Sequence, residues 1–290
     1  MEFCFELAGS VVHTAVNDSD FSSNMDDLAE YLVPSRKGDK ELVCRMVEEL
    51  SEPVGNLVFT DPARQVYSDG ESVISYLGPV NDDLSRAYLR VWRRGSWIEA
   101  EFKRSAMPYG IYSKDILRVL EVEHVAIENN GFVLHASCIE YQGEAILFTA
   151  PSGTGKSTQA DIWNRYRGAE IINGDRIMVQ ILEEGIVIRG IPFSGSSGIS
   201  KNRVLPLKAI VYLGQAPENR AAFLHGAAAF RRVWEGCSAQ VWNREEMDKA
   251  TKTVLQTVTQ VPVLLLECTP DVRAVETLEE ILNMGRESHA

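Results

Sequence analysis

The sequence predicts an α/β protein of two parts, a smaller N-terminal α+β domain over residues 1–112 and a layered α/β domain over residues 113–290. Two observations support this division. Before residue 112 the chain consists of short β-type segments separated by turn signals, whereas after residue 131 apolar strands alternate with helical segments. The length of 290 residues and the hydrophobic fraction of 45% are enough for two packed cores, which excludes a disordered, collagen-like or coiled-coil chain.

The first part is predicted to contain mostly strands and one helix. The strands are expected at residues 54–60, 65–67, 72–77, 88–92 and 97–102, and the helix at residues 39–49. Asp69-Gly70 and Arg94-Gly95-Ser96 stand where hairpin turns would join these strands, because glycine accepts the backbone angles of tight turns.

The second part is predicted to begin with a helix that Ser113 caps and that Asn129-Asn130-Gly131 ends. Strands are expected at residues 132–139, 145–149, 169–173, 176–181, 185–189, 209–213 and 261–266, and helices at 156–166, 221–234, 244–259 and 272–283. This alternation is typical of a layered α/β core, in which helices cover the faces of a sheet.

The charge of the chain argues against a nucleic-acid-binding protein. There are 41 acidic and 29 basic residues, and the net charge of −12 lacks the basic surface that such proteins usually carry. Residues 1–130 hold most of the excess, with 23 acidic and 13 basic residues. The first part is therefore a candidate for substrate recognition through a basic partner segment, and a solvated acidic surface without a partner explains the charge equally well.

The cysteine pattern favours reduced thiols and a cytoplasmic location. The five cysteines are scattered without paired spacing. The start of the chain lacks a signal-peptide pattern, and the longest apolar run is too short to cross a membrane, so no membrane partner is expected. An oligomer is compatible with the sequence, but no segment identifies its interface.

The strongest functional signal is the segment Ala150-Pro151-Ser152-Gly153-Thr154-Gly155-Lys156-Ser157-Thr158. It matches a phosphate-binding loop (P-loop), with Ala150 where the first glycine usually stands. Glycines let successive backbone amides converge on phosphate oxygens, and the helix that follows adds its positive N-terminal end. We expect this loop to bind the phosphates of a nucleotide, with Lys156 on the β- and γ-phosphates and the Ser157 hydroxyl on Mg²⁺. A loop that only turns the chain does not need the Lys-Ser pair.

A second signal is Asn173-Gly174-Asp175-Arg176, at the end of a predicted strand. Asp175 is expected to hold Mg²⁺ and to orient or deprotonate a hydroxyl nucleophile. The alternative is an aspartate that caps a turn. Gly174 indicates that another group approaches the backbone closely at this point.

His135 lies on the strand that precedes the P-loop strand. If the two strands pair through the Gln142-Gly143 turn, the imidazole lies near the phosphate site, where it can polarise the terminal phosphate or carry a proton near neutral pH. The alternative is a hydrogen-bonded histidine in an apolar core.

Residues 192–203 form a long polar loop between two predicted strands. Loops of this length in a compact domain are usually functional or disordered. Ser196 and Ser197 offer hydroxyl groups, and Lys201 and Arg203 offer positive charge. The loop is therefore predicted to be a substrate lid or phosphate clamp, with an ordinary surface loop as the alternative.

His135, the Ser-Gly-Thr-Gly-Lys-Ser core of the P-loop and Asp175 resemble, in their order, the HPr kinase/phosphorylase family, over about residues 131–283. That family shares its nucleotide-binding core with ATP-dependent phosphoenolpyruvate carboxykinase. The resemblance implies this core for residues 113–290. It also implies ATP or another phosphoryl donor, Mg²⁺, and transfer to a seryl hydroxyl, with Lys156, Asp175 and His135 in catalytic roles.

The chain departs from this family at two places. HPr kinases have two adjacent aspartates where this chain has Gly174-Asp175, so the partner that would act as the base is either missing or replaced by Asp175 or His135. Their Glu-Ile-Arg-Gly element is missing, and Val187-Ile188-Arg189-Gly190 only imitates it. The sequence looks more similar to stand-alone HPr-kinase-like proteins, some of which phosphorylate a serine of a ribosomally made peptide, as in lasso peptide tailoring.

The sequence leaves three functions open. The first is a Mg²⁺-ATP-dependent kinase of a serine in a peptide or small protein. The second is a kinase of free serine or another small hydroxy metabolite. The third is a nucleotide-binding regulator without transfer activity, which Gly174 keeps open because it replaces one carboxylate of the family's pair.

Overall fold

The computed structural model describes residues 1–17, 19–21, 25–34, 37–80, 83–240 and 242–287, without the side chains of Asp27, Ser196 and residues 284–287. The chain divides into two compact units, Met1–Val122 and Glu123–Ala290. The helix α1 (Ser113–Leu120), which was expected to open the second domain, belongs to the first unit. The observed division therefore falls later than the predicted boundary at residue 112.

The first unit is built on one nine-stranded sheet. Its strands are β1 (Glu2–Leu7), β2 (Ser10–Val16), β3 (Leu32–Val33), β4 (Lys40–Val47), β5 (Asn56–Asp61), β6 (Arg64–Ser68), β7 (Val73–Leu77), β8 (Leu89–Arg94) and β9 (Trp97–Lys103). They lie in the order β3-β1-β2-β4-β9-β8-β7-β6-β5, and β4 is parallel to both of its neighbours. The strands predicted between residues 54 and 102 are confirmed as β5 to β9.

The helix predicted at residues 39–49 is wrong, because this segment contains β4. Its Glu, Leu, Arg and Met residues are good helix formers, which favoured the wrong prediction. In the sheet, Lys40, Leu42 and Cys44 are buried and the residues between them are half-buried, which is the two-residue period of a strand. Pairing with β2 on one side and β9 on the other outweighs the intrinsic propensity.

The second unit combines a mixed sheet with helices. Its strands are β10 (Gly131–Tyr141), β11 (Glu144–Thr149), β12 (Glu170–Asn173), β13 (Arg176–Leu182), β14 (Gly185–Arg189), β15 (Val204–Gln215), β16 (Arg220–Leu224), β17 (Cys237–Ser238) and β18 (Val263–Cys268). Its helices are α2 (Val122–Glu128, which begins at the boundary), α3 (Lys156–Arg167), α4 (Gly226–Trp234), α5 (Arg244–Gln260) and α6 (Val272–Glu287). Strands β11, β10, β13, β14 and β15 close into a ring, because β11 pairs with both β10 and β15.

Three parallel strands, β11, β15 and β18, form the centre of the second unit. They are covered on both faces, which explains their nearly continuous apolar sequences. Trp163 of α3 and Leu278 of α6 pack on one face. Val233 of α4 and Val254 of α5 pack on the other. The carboxyl ends of the three strands therefore meet at the same edge, next to the start of α3.

Two predicted helices differ from the structure. The helix expected over residues 221–234 is wrong in its first part, where Arg220–Leu224 forms β16 and pairs with β18. Helix α4 begins only at Gly226, which has a φ angle of 54°. The helix expected after Ser113 is interrupted at Glu121, whose φ angle of 49° ends α1 before α2 begins. Helices α3, α5 and α6 confirm the remaining predictions.

The structure bears on the predictions about cysteine thiols and membrane-spanning segments. All five cysteines lie within the described residues and are free. In the part of the chain that the structure describes, no helix combines the length and the apolar character needed to cross a membrane.

Candidate functional site

The glycine-rich segment forms a loop between β11 and α3. Gly153 and Gly155 have φ angles of 80° and 113°, which side chains other than glycine rarely adopt. A Cβ atom on either glycine would meet no described atom within 4 Å, so the space in front of the loop is open. Helix α3 begins at Lys156, and its first amides and positive dipole end lie beside the same space. The loop therefore fits a phosphate group.

Lys156 lies over this loop instead of extending into solvent. The residue is 8% exposed, and its Nζ donates hydrogen bonds to the carbonyl oxygens of Ala150 at 3.0 Å and Pro151 at 3.4 Å. Burial lowers the pKa of the ammonium group, and the nearby carboxylate of Asp175 opposes that shift. A phosphate that enters the loop would thus meet a cation that is already in position.

His135 and Asp175 form a pair beside Lys156. Strand pairing places His135 opposite Arg176, and the amide of Ala136 donates to the carbonyl oxygen of Asp175 at 3.0 Å. The Nε2 atom of His135 lies 3.5 Å from Oδ1 of Asp175. Strand β10 pairs with β11 through the predicted turn. The structure therefore brings the three residues with expected catalytic roles together at one end of β11.

The imidazole of His135 is expected to be neutral near pH 7. Its pKa is lowered overall, mainly by burial and also by the charges of Lys156 and Arg176. The carboxylate of Asp175 raises the pKa, but not enough to cancel these effects. The unfolded chain then binds the proton more readily, so the free energy of unfolding should decrease as pH falls below the ordinary imidazole value of 6.5.

Substitution of His135 by glutamine should reduce this pH dependence, measured by chemical denaturation from about pH 5 to about pH 8. His225→Gln, at an exposed position, is the control; an unchanged slope for His135→Gln would contradict the expectation.

Asn173 holds the backbone around Asp175. Its side chain is fully buried, and Oδ1 accepts hydrogen bonds from the amides of Asp175 at 2.8 Å and Arg176 at 3.0 Å, while Nδ2 donates to the carbonyl oxygen of Ile191 at 3.1 Å. The Nε of Arg176 lies 3.5 Å from Oδ2 of Asp175, and its Nη1 lies 3.2 Å from Glu123. Sequence reasoning gave Asn173 and Arg176 no role. An asparagine two residues before a candidate carboxylate was the available signal, since such side chains bond to the backbone two residues on.

The polar loop between β14 and β15 packs against Gly174 and Asp175. A short 3-10 turn spans Gly195–Ser197. A Cβ atom on Gly195 would lie 2.7 Å from Cβ of Asp175, and one on Gly174 would lie 2.2 Å from Oγ of Ser197. This contact is the close approach that Gly174 predicted. Ser197 thus lies at the site, whereas the side chain of Ser196 is outside the described residues.

Substitution of Gly174 by aspartate is expected to destabilise the protein by about 1–3 kcal/mol, because it overpacks the contact with Ser197. Adding Ser197→Gly removes the clashing side chain and should recover most of this loss. Chemical denaturation of the single and double variants measures both effects. A Gly174→Asp variant as stable as the unsubstituted protein would contradict the close approach.

The two basic residues of the polar loop contact Glu170. Nζ of Lys201 lies 2.6 Å from Oε1 of Glu170, and Nη2 of Arg203 lies 3.7 Å from its Oε2. In the sheet, Glu170 of β12 is paired with Glu140 of β10. Glu140 lies roughly 13 Å along the strand from Ala136, the β10 residue that pairs with the end of β11 next to the glycine-rich loop. These contacts anchor the loop to β12, and a role for Lys201 and Arg203 in binding phosphate stays a prediction.

The expected Mg²⁺ ligands are oxygen donors of the right chemistry. Ser157 is the second residue of α3 and is exposed, and Asp175 has a partly exposed carboxylate. Among the described residues, no group of three or more His, Cys, Asp or Glu side chains could hold a metal ion. Mg²⁺ in phosphate sites commonly keeps several waters and takes only one or two protein ligands, so a small donor set fits.

A cavity of about 630 Å³ lies beside the P-loop. Residues of the loop and of α3 form one wall, and the ends of β15 and β18 form the other, through residues such as Leu213, Gln215 and Cys268. Crevices at the carboxyl ends of parallel strands are where α/β proteins bind ligands. The sequence did not predict this cavity, because its walls come from segments far apart in the chain.

Comparisons with known proteins show distant structural similarity. No family model matches the chain, and no curated protein matches it. Among solved structures, the chain is similar to the Hpr(Ser) kinase/phosphatase from Coxiella burnetii, with 12% sequence identity and a TM-score of 0.30, over 54% of this chain and 95% of that one. A similarity at this level carries no argument about function, which has to come from the site itself.

Proposed function

We propose that the protein is an ATP-dependent phosphotransferase that transfers the terminal phosphoryl group of ATP to a serine hydroxyl of a peptide or small protein. The main supporting observation is the position of Lys156 over the glycine-rich loop, with the His135–Asp175 pair beside it. Phosphoryl transfer to an alcohol depends on positioning and on neutralising charge, and it needs a phosphate cradle, a cation and a group that handles the hydroxyl proton.

In this proposal the backbone amides between Ser152 and Thr158 bind the β- and γ-phosphates, and Lys156 neutralises part of their charge. The Ser157 hydroxyl and the Asp175 carboxylate would hold Mg²⁺, which when bound neutralises charge on the phosphate oxygens.

The acceptor oxygen forms a bond to the γ-phosphorus while the bond from that phosphorus to the β–γ bridging oxygen breaks, so that ADP leaves with the bridging oxygen. Asp175 or His135 takes the proton of the serine hydroxyl. The neutral imidazole expected near pH 7 and the carboxylate are both able to accept it.

The exposure of the pair favours a macromolecular acceptor. The side chains of Asp175 and His135 are 31% and 38% exposed, so a serine carried on an extended chain can reach them. A small metabolite is usually bound in a pocket that buries most of its surface. The acidic first unit is proposed to recognise a basic segment of such an acceptor, and higher salt would then weaken binding.

The proposal is tested by incubating the protein with γ-labelled ATP and Mg²⁺, together with serine-containing peptides or with free serine, and identifying products by mass spectrometry. Phosphorylated peptide supports the proposal. Phosphoserine formed only from the free amino acid would reassign the protein to the metabolite kinases. Nucleotide binding without product in either reaction would indicate the regulator, and absence of nucleotide binding would overturn all three.

A further inference from the structure

The cavity beside the P-loop lies on the opposite side of β11 from the His135–Asp175 pair. Strand β10, which carries His135, is one neighbour of β11, and β15 is the other, followed by β18. The cavity is lined by residues at the ends of β15 and β18. A nucleotide whose phosphates occupy the loop has its terminal phosphate at one end and its base at the other. If the terminal phosphate faces Asp175, the rest of the molecule extends toward the cavity.

We propose that this cavity binds the nucleoside end of the nucleotide, and that the side-chain amide of Gln159 recognises the exocyclic amino group of an adenine base. The inference rests on the proposed function, because it assumes a polyphosphate in the loop. The volume of about 630 Å³ falls within the range of roughly 300–1,000 Å³ that small-molecule pockets have.

Gln159 is one of the polar residues of the cavity wall, together with Thr154, Thr158 and Gln215. The residue is 2% exposed, and its Nε2 donates to Sγ of Cys268 at 3.2 Å. Its Oε1 is buried and has no hydrogen-bond partner among the described residues. A buried carbonyl oxygen without a donor is unfavourable, and a ligand N–H removes that cost. Adenine presents such a donor in its amino group, whereas guanine presents a carbonyl oxygen at the equivalent ring position.

The other walls suit the faces of a planar base. Leu213, Ala216 and Pro270 contribute apolar surface. Nε2 of Gln215 donates to the carbonyl oxygen of Thr154 at 3.4 Å, which ties the end of β15 to the P-loop. The phosphate loop and the cavity are thus parts of one continuous surface, which combines apolar walls with a few polar side chains, as in most small-molecule pockets.

The first test compares binding of Mg²⁺-ATP, Mg²⁺-GTP and Mg²⁺-tripolyphosphate by calorimetry, in the unsubstituted protein and in Gln159→Leu. Leucine keeps the helix propensity and most of the volume but removes the amide. We expect the unsubstituted protein to prefer ATP over GTP, and Gln159→Leu to lose roughly tenfold in ATP affinity, which is the worth of one ordinary hydrogen bond. Affinity for tripolyphosphate should stay unchanged. Asp161→Asn, at an exposed position of α3, is the matched control.

The outcomes separate this inference from the proposed function. If tripolyphosphate binds but ATP, GTP and the Gln159→Leu variant show no difference, the cavity does not recognise the base and this inference fails, while the phosphate site stands. A preference for GTP also overturns it. If tripolyphosphate does not bind at all, the proposed function fails and the inference fails with it.

A second readout does not require a substitution. Cys268 lines the cavity, so a base bound there covers its thiol. N-ethylmaleimide labelling of Cys268, quantified by peptide mass spectrometry, should be slowed severalfold by saturating ATP and left unchanged by tripolyphosphate. Labelling of Cys237 in the same samples is the internal reference. Equal labelling of Cys268 with both ligands would overturn the placement of the base.

Discussion

Substitution of Lys156 by alanine is expected to lower phosphoryl transfer by at least about a hundredfold, because preorganised groups that face developing charge are worth roughly 10²–10³ in rate. The Lys156 ammonium group is held over the P-loop by the carbonyl oxygens of Ala150 and Pro151, so it needs no reorganisation when phosphate arrives. Steady-state kinetics with ATP and a phosphorylated peptide as product measures the loss. Calorimetry should show weaker binding of Mg²⁺-ATP as well.

The control for this experiment has to separate lost chemistry from lost folding. Lys252→Ala removes the same charge at an exposed position of α5 and should leave turnover unchanged. Thermal unfolding of both variants shows whether Lys156→Ala remains folded. A folded Lys156→Ala variant with normal turnover would remove the main support for a phosphotransferase.

Substitution of Asp175 by asparagine is expected to lower kcat by about 10²–10⁴-fold, the range of positioned acid–base groups. The amide has nearly the same shape, so the packing against Gly195 and the hydrogen bonds to Asn173 persist. What disappears is the charge that pairs with His135 and with Arg176, and with it a ligand for Mg²⁺. Kinetics at several Mg²⁺ concentrations and pH values distinguish these losses.

The pH profiles of Asp175→Asn and His135→Asn together identify the group that takes the proton. Asp175 raises the pKa of His135, so removing its charge should move any activity controlled by the imidazole to lower pH. If His135 is the base, His135→Asn abolishes the acid limb of the profile. If Asp175 is the base, His135→Asn keeps that limb and loses rate alone. Full activity of Asp175→Asn, with Asp161→Asn as the matched control, would exclude the carboxylate from both roles.

The conformation of the glycine-rich loop was predictable from the sequence because its determinants are local, whereas phosphate binding there stays a prediction. Gly153 and Gly155 adopt backbone angles that glycine permits, and Lys156 begins the helix where the motif places it. The position of His135 also followed from a short-range feature, the turn at Gln142-Gly143, which joins β10 and β11. Each of these elements depends on neighbours within a few residues or on one hairpin.

The errors arose where distant pairing decides the structure. The segment that forms β4 has a helix-forming composition, and only its two parallel neighbours make it a strand. The first part of the helix predicted at residues 221–234 is a strand because β18 offers an edge to it. Gly226, with its positive φ angle, was the local sign that a helix could not run through this point.

The same limit applies to the candidate site. Nothing in the sequence places Ser197 against Gly174, or Glu170 against Lys201, because these contacts join β12 to a loop that follows β14. The cavity beside the P-loop depends on β15 and β18, which reach the loop only through the parallel order of the sheet.

The packing of the polar loop on Asp175 has a consequence for the acceptor side of the proposed site. The backbone of Asp175 is held by hydrogen bonds with Asn173 and with β10. Its side chain is contacted by the turn at Gly195–Ser197. In the proposed kinase, a change in this turn would therefore reshape the approach to Asp175 while the hydrogen bonds that hold its backbone persist. If the proposed function is correct, substitutions in this turn should alter acceptor preference more than they alter the position of the Asp175 carboxylate.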